Sequence, residues 1–192
     1  LRNLLQTQAT LPMRVVGAVH SRPRQAQTEA AFAACEQATI PIVSLVPRQL
    51  GEAFAERQAQ ILLGWGVELV CMAGYLVRWL IPPPYRGRVL NIHPALLPRF
   101  GGRGMYGDRV HAAVLAAGET VSGCTVHVAD DEYDHGGVLV QRQVPVEPGD
   151  TVDRLAQRVF AAECVAYVEA LKLVLDGAVE VDGQSRVRIV SR

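Results

Sequence analysis

Val89–Tyr106 reads VLNIHPALLPRFGGRGMY. The run opens on apolar residues, sets Asn91 and His93 two apart, and breaks on Pro94 and Pro98. Alternation along a strand puts Asn91 and His93 on one side. A buried strand that ends in an amide and an imidazole is how an α/β protein presents reactive groups at a strand's carboxyl edge. A glycine-rich turn follows (Gly101, Gly102, Gly104). The plainer reading is a strand terminator with a satisfied histidine. A second stretch, Thr125–Gly137 (TVHVADDEYDHGG), favours chemistry. It reads as a strand carrying His127, then an acidic loop (Asp130, Asp131, Glu132, Asp134) ending in two glycines, flexible enough to fold over a site. A carboxylate beside His93 would favour the protonated ring and raise its pKa, making it a proton carrier near neutral pH.

Outward from these stretches, strands alternate with helices. The pattern predicts a helix already under way at Leu1, a strand over Met13–Val19 and an alanine-rich helix over Thr28–Gln37. Next come a strand over Ile40–Val46, an amphipathic helix over Gly51–Trp65 and a buried strand over Val67–Met72. Pro82–Pro84 forces an extended turn before the central strand, Val89–Ile92. A helix over Val110–Ala117 follows, then strands over Gly123–Val128 and Val138–Val144. A long helix over Thr151–Leu175 is capped by Asp150 or Thr151, and a weak strand covers Ser185–Val190. The expectation is an α/β fold with a doubly wound, mostly parallel sheet and helices on both faces, its last strands antiparallel or mixed. A chain of 192 residues fits a single domain, 1–192.

Composition narrows the function. Nineteen basic against 19 acidic residues leave no basic field for nucleic acid, so small-molecule partners fit better. No apolar run is long and clean enough for a membrane span, and no signal peptide is visible. Cys35, Cys71, Cys124 and Cys164 are widely spaced, which suits reduced thiols in a cytoplasmic protein better than zinc ligands or disulfides.

NIHPALLP at 91–98, followed by SGCTVHVADDEYDHGG at 122–137, resembles the folate-dependent formyltransferases, among them the glycinamide ribonucleotide formyltransferases of purine synthesis. The resemblance runs from Leu1 to about Gly177. It implies transfer of a formyl group from 10-formyltetrahydrofolate to the amine of glycinamide ribonucleotide, without a metal, in a monomer or homodimer. By similarity, Asn91 donates to the developing oxyanion, His93 is the acid/base, Asp134 raises its pKa and positions it, and His127 supports the loop. Folate contacts are implied at Met72, Gly74, Leu76, Val77, Arg78, Trp79, Leu90, Asn91, Asp130, Asp131, Glu132 and Asp134. Nucleotide contacts are implied at Pro94, Arg103 and Glu163.

The chain also departs from the family pattern. Cys164 stands where the family commonly has His, Val77 where it often has Arg, and its folate-carboxylate arginine maps near Gly51, so that contact is either absent or comes from Arg48. The family's first strand and Gly-Ser-Asn phosphate loop would precede Leu1, so the sequence reads either as a fragment of a longer chain or as a shortened protein. The alternatives are a formyltetrahydrofolate deformylase, a methionyl-tRNA formyltransferase-like enzyme, and a folate-binding protein without catalysis.

Overall fold

The computed structural model describes residues 1–182 and 185–190. The chain forms two compact units, Leu1–Glu68 with Tyr75–Pro82, and Leu69–Gly74 with Pro83–Arg192.

The first unit holds α1 (Arg2–Thr7), β1 (Ala18–His20), α2 (Glu29–Gln37), β2 (Ile42–Ser44), α3 (Pro47–Leu50) and α4 (Ala53–Gly64). β1 and β2 pair in parallel, Val19 opposite Val43. Phe54, Gln58 and Leu62 recur every four residues on α4, and all three are buried. The Tyr75 hydroxyl donates to the buried Gln58 side chain at 3.0 Å, which satisfies that amide's oxygen. The strand expected over Met13–Val19 pairs only at its end. Gly17, just before it, has the Trp65 ring where a Cβ would stand, 2.6 Å away. α3, opened by Pro47 at its first turn, went unforeseen because its four residues are too few to show a period.

The second unit is built on a four-stranded sheet, β3 (Val70–Ala73), β4 (Val89–His93), β5 (Val121–Val128) and β6 (Val138–Pro145), in that spatial order. β3 and β4 are parallel, whereas β4–β5 and β5–β6 are antiparallel, so the sheet is mixed. The register sets the face of every side chain. Met72, Asn91 and His127 form one row across β3, β4 and β5, and His93, Thr125 and Gln141 form the next across β4, β5 and β6. Leu90, Ile92, Cys124, Val126 and Val128 alternate with these residues and therefore point to the other face.

The 24-residue α6 (Val152–Leu175) covers that other face. Leu155, Val159, Ala166, Tyr167, Ala170 and Leu171 make its buried stripe. The buried Tyr167 hydroxyl lies 3.1 Å from both the Met72 and the Leu90 carbonyl oxygens, so the helix is pinned over β3 and β4. On its outer side Arg142 of β6 pairs with Glu169 at 2.8 Å. Thr151 is the cap, its hydroxyl accepting from Arg154 N at 3.3 Å. Asp150 instead accepts from Glu147 N at 2.9 Å and pairs with Arg158 at 2.7 Å. α5 (Asp108–Ala116) packs against α6. A hairpin of β7 (Val179–Val181) and β8 (Val187–Ile189) ends the described chain, and only its second strand was foreseen.

Candidate active site

Two cross-strand rows meet on the sheet face of the second unit that lies opposite α6. Val89, Leu90 and Ile92 are apolar and buried, which fixes β4 in the sheet and leaves Asn91 and His93 as its polar face. His93 is only 4 % exposed. The loop after it is held from the opposite strand. The Thr125 hydroxyl donates to the Ala95 carbonyl at 2.7 Å and accepts from Leu97 N at 3.0 Å. Gln141 Nε2 donates to Thr125 Oγ1 at 3.0 Å and to the Leu97 carbonyl at 2.9 Å. The chain then turns through a cis Leu97–Pro98 peptide and a positive-φ Phe100. That turn brings the Phe100 carbonyl to 2.8 Å from His93 Nε2.

Asp134 arrives from the β5–β6 loop. Its φ of +55° is a left-handed conformation, unusual for any residue but glycine. Its Oδ2 accepts from Gly102 N at 2.9 Å and lies 3.4 Å from His93 Nδ1. Its Oδ1 lies 3.5 Å from Asn91 Nδ2 and 3.8 Å from His127 Nε2. Asn91 Nδ2 is also 3.1 Å from His127 Nε2, which makes the amide the donor and that ring nitrogen the acceptor. Asp134 is thus the hub joining Asn91, His93 and His127.

The electrostatics are opposed. Burial raises the Asp134 carboxyl. The neighbouring His127 and His93 rings and the Gly102 amide outweigh it, so the group sits below its ordinary range. Burial lowers His93, and the Asp134 charge and the Phe100 carbonyl only partly restore it, leaving the ring below the ordinary histidine value. This corrects the expected net rise. Asp134 does push the ring up, but a histidine this deeply buried loses more from desolvation than one carboxylate returns.

This strand-borne trio joined by a loop aspartate has relatives. A family model described as formyl transferase matches residues 6–171. The chain belongs to the formyl transferase family. The trifunctional purine biosynthetic protein adenosine-3 of Gallus gallus is 41 % identical over 157 residues, covering 79 % of this chain and 15 % of that protein. The chloroplastic phosphoribosylglycinamide formyltransferase of Arabidopsis thaliana is 46 % identical over 120 residues, 60 % of this chain and 40 % of that protein. The match to this chain thus spans less than half the length of either relative. Among solved structures, glycinamide ribonucleotide transformylase 1 from Symbiobacterium toebii superposes with a TM-score of 0.85 at 33 % identity, over 99 % of this chain and 88 % of that one.

In this member of the family, the remaining expected positions fall in several places. Met72 is half-buried in the row of Asn91, and Gly74 is exposed at the carboxyl end of β3. Leu76, Val77, Arg78 and Trp79 belong to the first unit, where Trp79 is buried and Leu76 and Arg78 are exposed. Leu90 is corrected as an apolar wall. Its side chain alternates with Asn91, is 1 % exposed and lies on the α6 face. The Asp130 carboxylate is used inside its loop, and Asp131 pairs with Arg86 at 3.4 Å. Glu132 is exposed. Pro94 is half-buried directly after His93, and Arg103 is exposed on the glycine-rich loop.

Glu163 stands on the helix covering the opposite face of the sheet, where burial lifts its carboxyl to about 7. Gly136 and Gly137 are not hinges. A Cβ on Gly136 would collide with the Val128 carbonyl, and one on Gly137 would lie 2.6 Å from Val187 N. Among the described residues, no group of three or more His, Cys, Asp or Glu side chains is placed to hold a metal ion. No helix among them is long and apolar enough to cross a membrane.

Sequence reasoning missed Phe100, Gly102, Thr125 and Gln141. Phe100 and Gly102 act through backbone groups, which leave no residue-type signature. Thr125 and Gln141 were findable from the register, since both fall in the His93 row once β4, β5 and β6 are aligned.

Proposed function

We propose that this chain transfers the formyl group of 10-formyltetrahydrofolate to the primary amine of glycinamide ribonucleotide. The observation that carries the reading is the Asp134 hub. One carboxylate sits 3.4 Å from His93 Nδ1 and 3.5 Å from Asn91 Nδ2, on a sheet face otherwise given to the supporting Thr125, His127 and Gln141. The named relatives support formyl as the group transferred and the glycinamide ribonucleotide as its acceptor.

The site suits a folate. Met72, beside Asn91 in register, and the exposed backbone at Ala73–Gly74 end β3 next to the cluster, offering peptide donors and acceptors to a pterin edge. The Asp130–Asp134 backbone supplies a second such edge. When bound, the folate supplies an activated formyl carbon.

Transfer forms an N–C bond to the amine and breaks the bond from the formyl carbon to the folate nitrogen. The amine sheds one proton and the folate nitrogen gains one, so no net proton is consumed. His93, held neutral by burial, carries its proton on Nε2 against the Phe100 carbonyl, so the first proton is taken at Nδ1 beside Asp134 and the second is given back from Nε2. In the cationic ring both nitrogens donate, and Asp134 stands at Nδ1 to receive one of those bonds. Nε2, resting on the Phe100 carbonyl, can then exchange that partner for the formyl oxygen as it gains charge. Asn91 exchanges His127 for the same oxygen, completing a two-donor cradle.

The test follows tetrahydrofolate release from the 10-formyl donor, with and without glycinamide ribonucleotide. Release that depends on the nucleotide is expected. Release without it would make the chain a deformylase. Folate binding without release would make it a binding protein.

A further inference from the structure

Asp134 keeps a left-handed backbone near the tip of its loop; its carboxylate is tied to Gly102 N, and the loop's own backbone must be held as well. The loop's own polar groups do this. Asp130 Oδ1 accepts from Glu132 N at 2.8 Å, bending the chain as it leaves β5. Asp130 Oδ2 lies 2.8 Å from His135 Nδ1, across the loop's mouth. His135 is the residue directly after Asp134. One carboxylate therefore joins the loop's entry to its exit, with Asp134 inside the closed ring. The base below is fixed, since Val128 N donates to the Gly137 carbonyl at 2.9 Å and Gly137 N to the Ser185 carbonyl at 2.9 Å. With Gly136 packed against the Val128 carbonyl, the exit strand cannot shift to compensate for a loosened mouth.

We propose that His135 is a positioning residue, whose ion pair with Asp130 closes this loop and thereby sets the Asp134 carboxylate against His93 and Asn91. The proposal rests on the formyl-transfer reading for its kinetic readout and on the geometry alone for its spectroscopic one. His135 pairs with Asp130 rather than with His93, and acts through Asp134.

The groups that face His135 are Asp130 and Glu132 from its own loop, and Arg186, which shares a cleft with it beside β8. Arg186 is itself turned to Asp182 at 3.8 Å. The Asp130 hydrogen bond first, then the charges of Asp130 and Glu132, hold the imidazole above its ordinary value. The pair is therefore complete below the ordinary histidine range and is lost as pH rises through the raised value. A formyl transferase using this device loses turnover on its alkaline side for a reason separate from His93.

The experiment measures kcat against pH for the wild-type chain, His135→Gln and His135→Lys, together with NMR titration of the His93 ring in the ligand-free proteins. His135→Gln should lose ~3- to 10-fold in kcat at neutral pH, a loss typical of a misplaced catalytic neighbour rather than a missing one. His135→Lys, charged through the alkaline range, should restore kcat and extend it beyond the wild-type alkaline limb. The His93 resonances should shift a second time as His135 titrates in the wild type, and not in either variant. Wild-type kinetics and a wild-type pH profile in His135→Gln would overturn the clamp. If the wild type itself transfers no formyl group, the functional reading falls instead. The clamp then stands or falls on whether the second NMR transition disappears in both variants.

Discussion

Asp134→Asn removes one charge and keeps the shape. In the wild-type chain the carboxylate Oδ2 lies 3.4 Å from His93 Nδ1, with the His93 side chain 4 % and the Asp134 side chain 9 % exposed. At an effective dielectric of about 20, unit charges at that separation attract by about 5 kcal/mol. The amide dipole and water entering a loosened loop recover about half, leaving ~2–3 kcal/mol of lost stabilisation for the imidazolium formed in turnover, or ~30- to 150-fold in kcat. The Gly102 N–H can still donate to the amide oxygen, so the loop should stay in place. The assay is kcat for nucleotide-dependent tetrahydrofolate release, paired with an NMR titration of the His93 ring. That titration should move to lower pH, because the group that pushes His93 up is gone while burial remains. Stability responds to the same substitution. The lowered Asp134 value stabilises the wild type above the ordinary carboxylate range, and that contribution is lost as pH falls through the lowered value. Asp134→Asn should lack this acid limb. An unchanged kcat with an unmoved His93 titration would refute the coupling of the two groups.

Three further outcomes are expected. His93→Ala should cut turnover at least ~100-fold while leaving folate binding measurable by fluorescence titration, since the ring's task is proton transfer. Glu163→Gln should flatten the stability–pH curve measured by urea melts. The wild-type carboxyl is raised from 4.5 to about 7, so the wild-type chain loses stability relative to the variant as pH climbs through that window. Gly136→Ala should lower the urea midpoint by the equivalent of ~1–3 kcal/mol and depress kcat together, because the added methyl meets the Val128 carbonyl at the base of the Asp134 loop.

The fold class and the two halves of the site were legible for different reasons. β4 and β5 stood out because apolar residues buried on both faces enclose a few polar ones, and α6 because its apolar stripe runs from Leu155 to Leu171 along a 24-residue helix. Asn91, His93, His127 and Asp134 were legible as residue types, and the structure brings all four together. Illegible were the groups that act through peptide atoms and the sign of a competition. No sequence shows that the Phe100 carbonyl meets His93, and none shows that burial of that ring outweighs its carboxylate neighbour. Leu90, implied as a folate contact by the resemblance, alternates with Asn91 and so turns its side chain to the α6 face. Gly136 and Gly137 looked like freedom and are instead close packing.

The antiparallel register of β4 on β5 places Asn91 opposite His127 and His93 opposite Thr125. In such a pairing the two partner positions sum to a constant, 218 for both couples. Chain inserted between the strands, in the 94–120 region, changes that constant but leaves the site intact as long as the same residues still face one another. A single residue inserted inside β5 between Thr125 and His127 cannot be absorbed in this way. It would turn one of them to the α6 side, separating the strut of the His93 loop from the acceptor of the Asn91 amide. The segment joining the two motifs can therefore vary in length, while the three residues Thr125–His127 cannot.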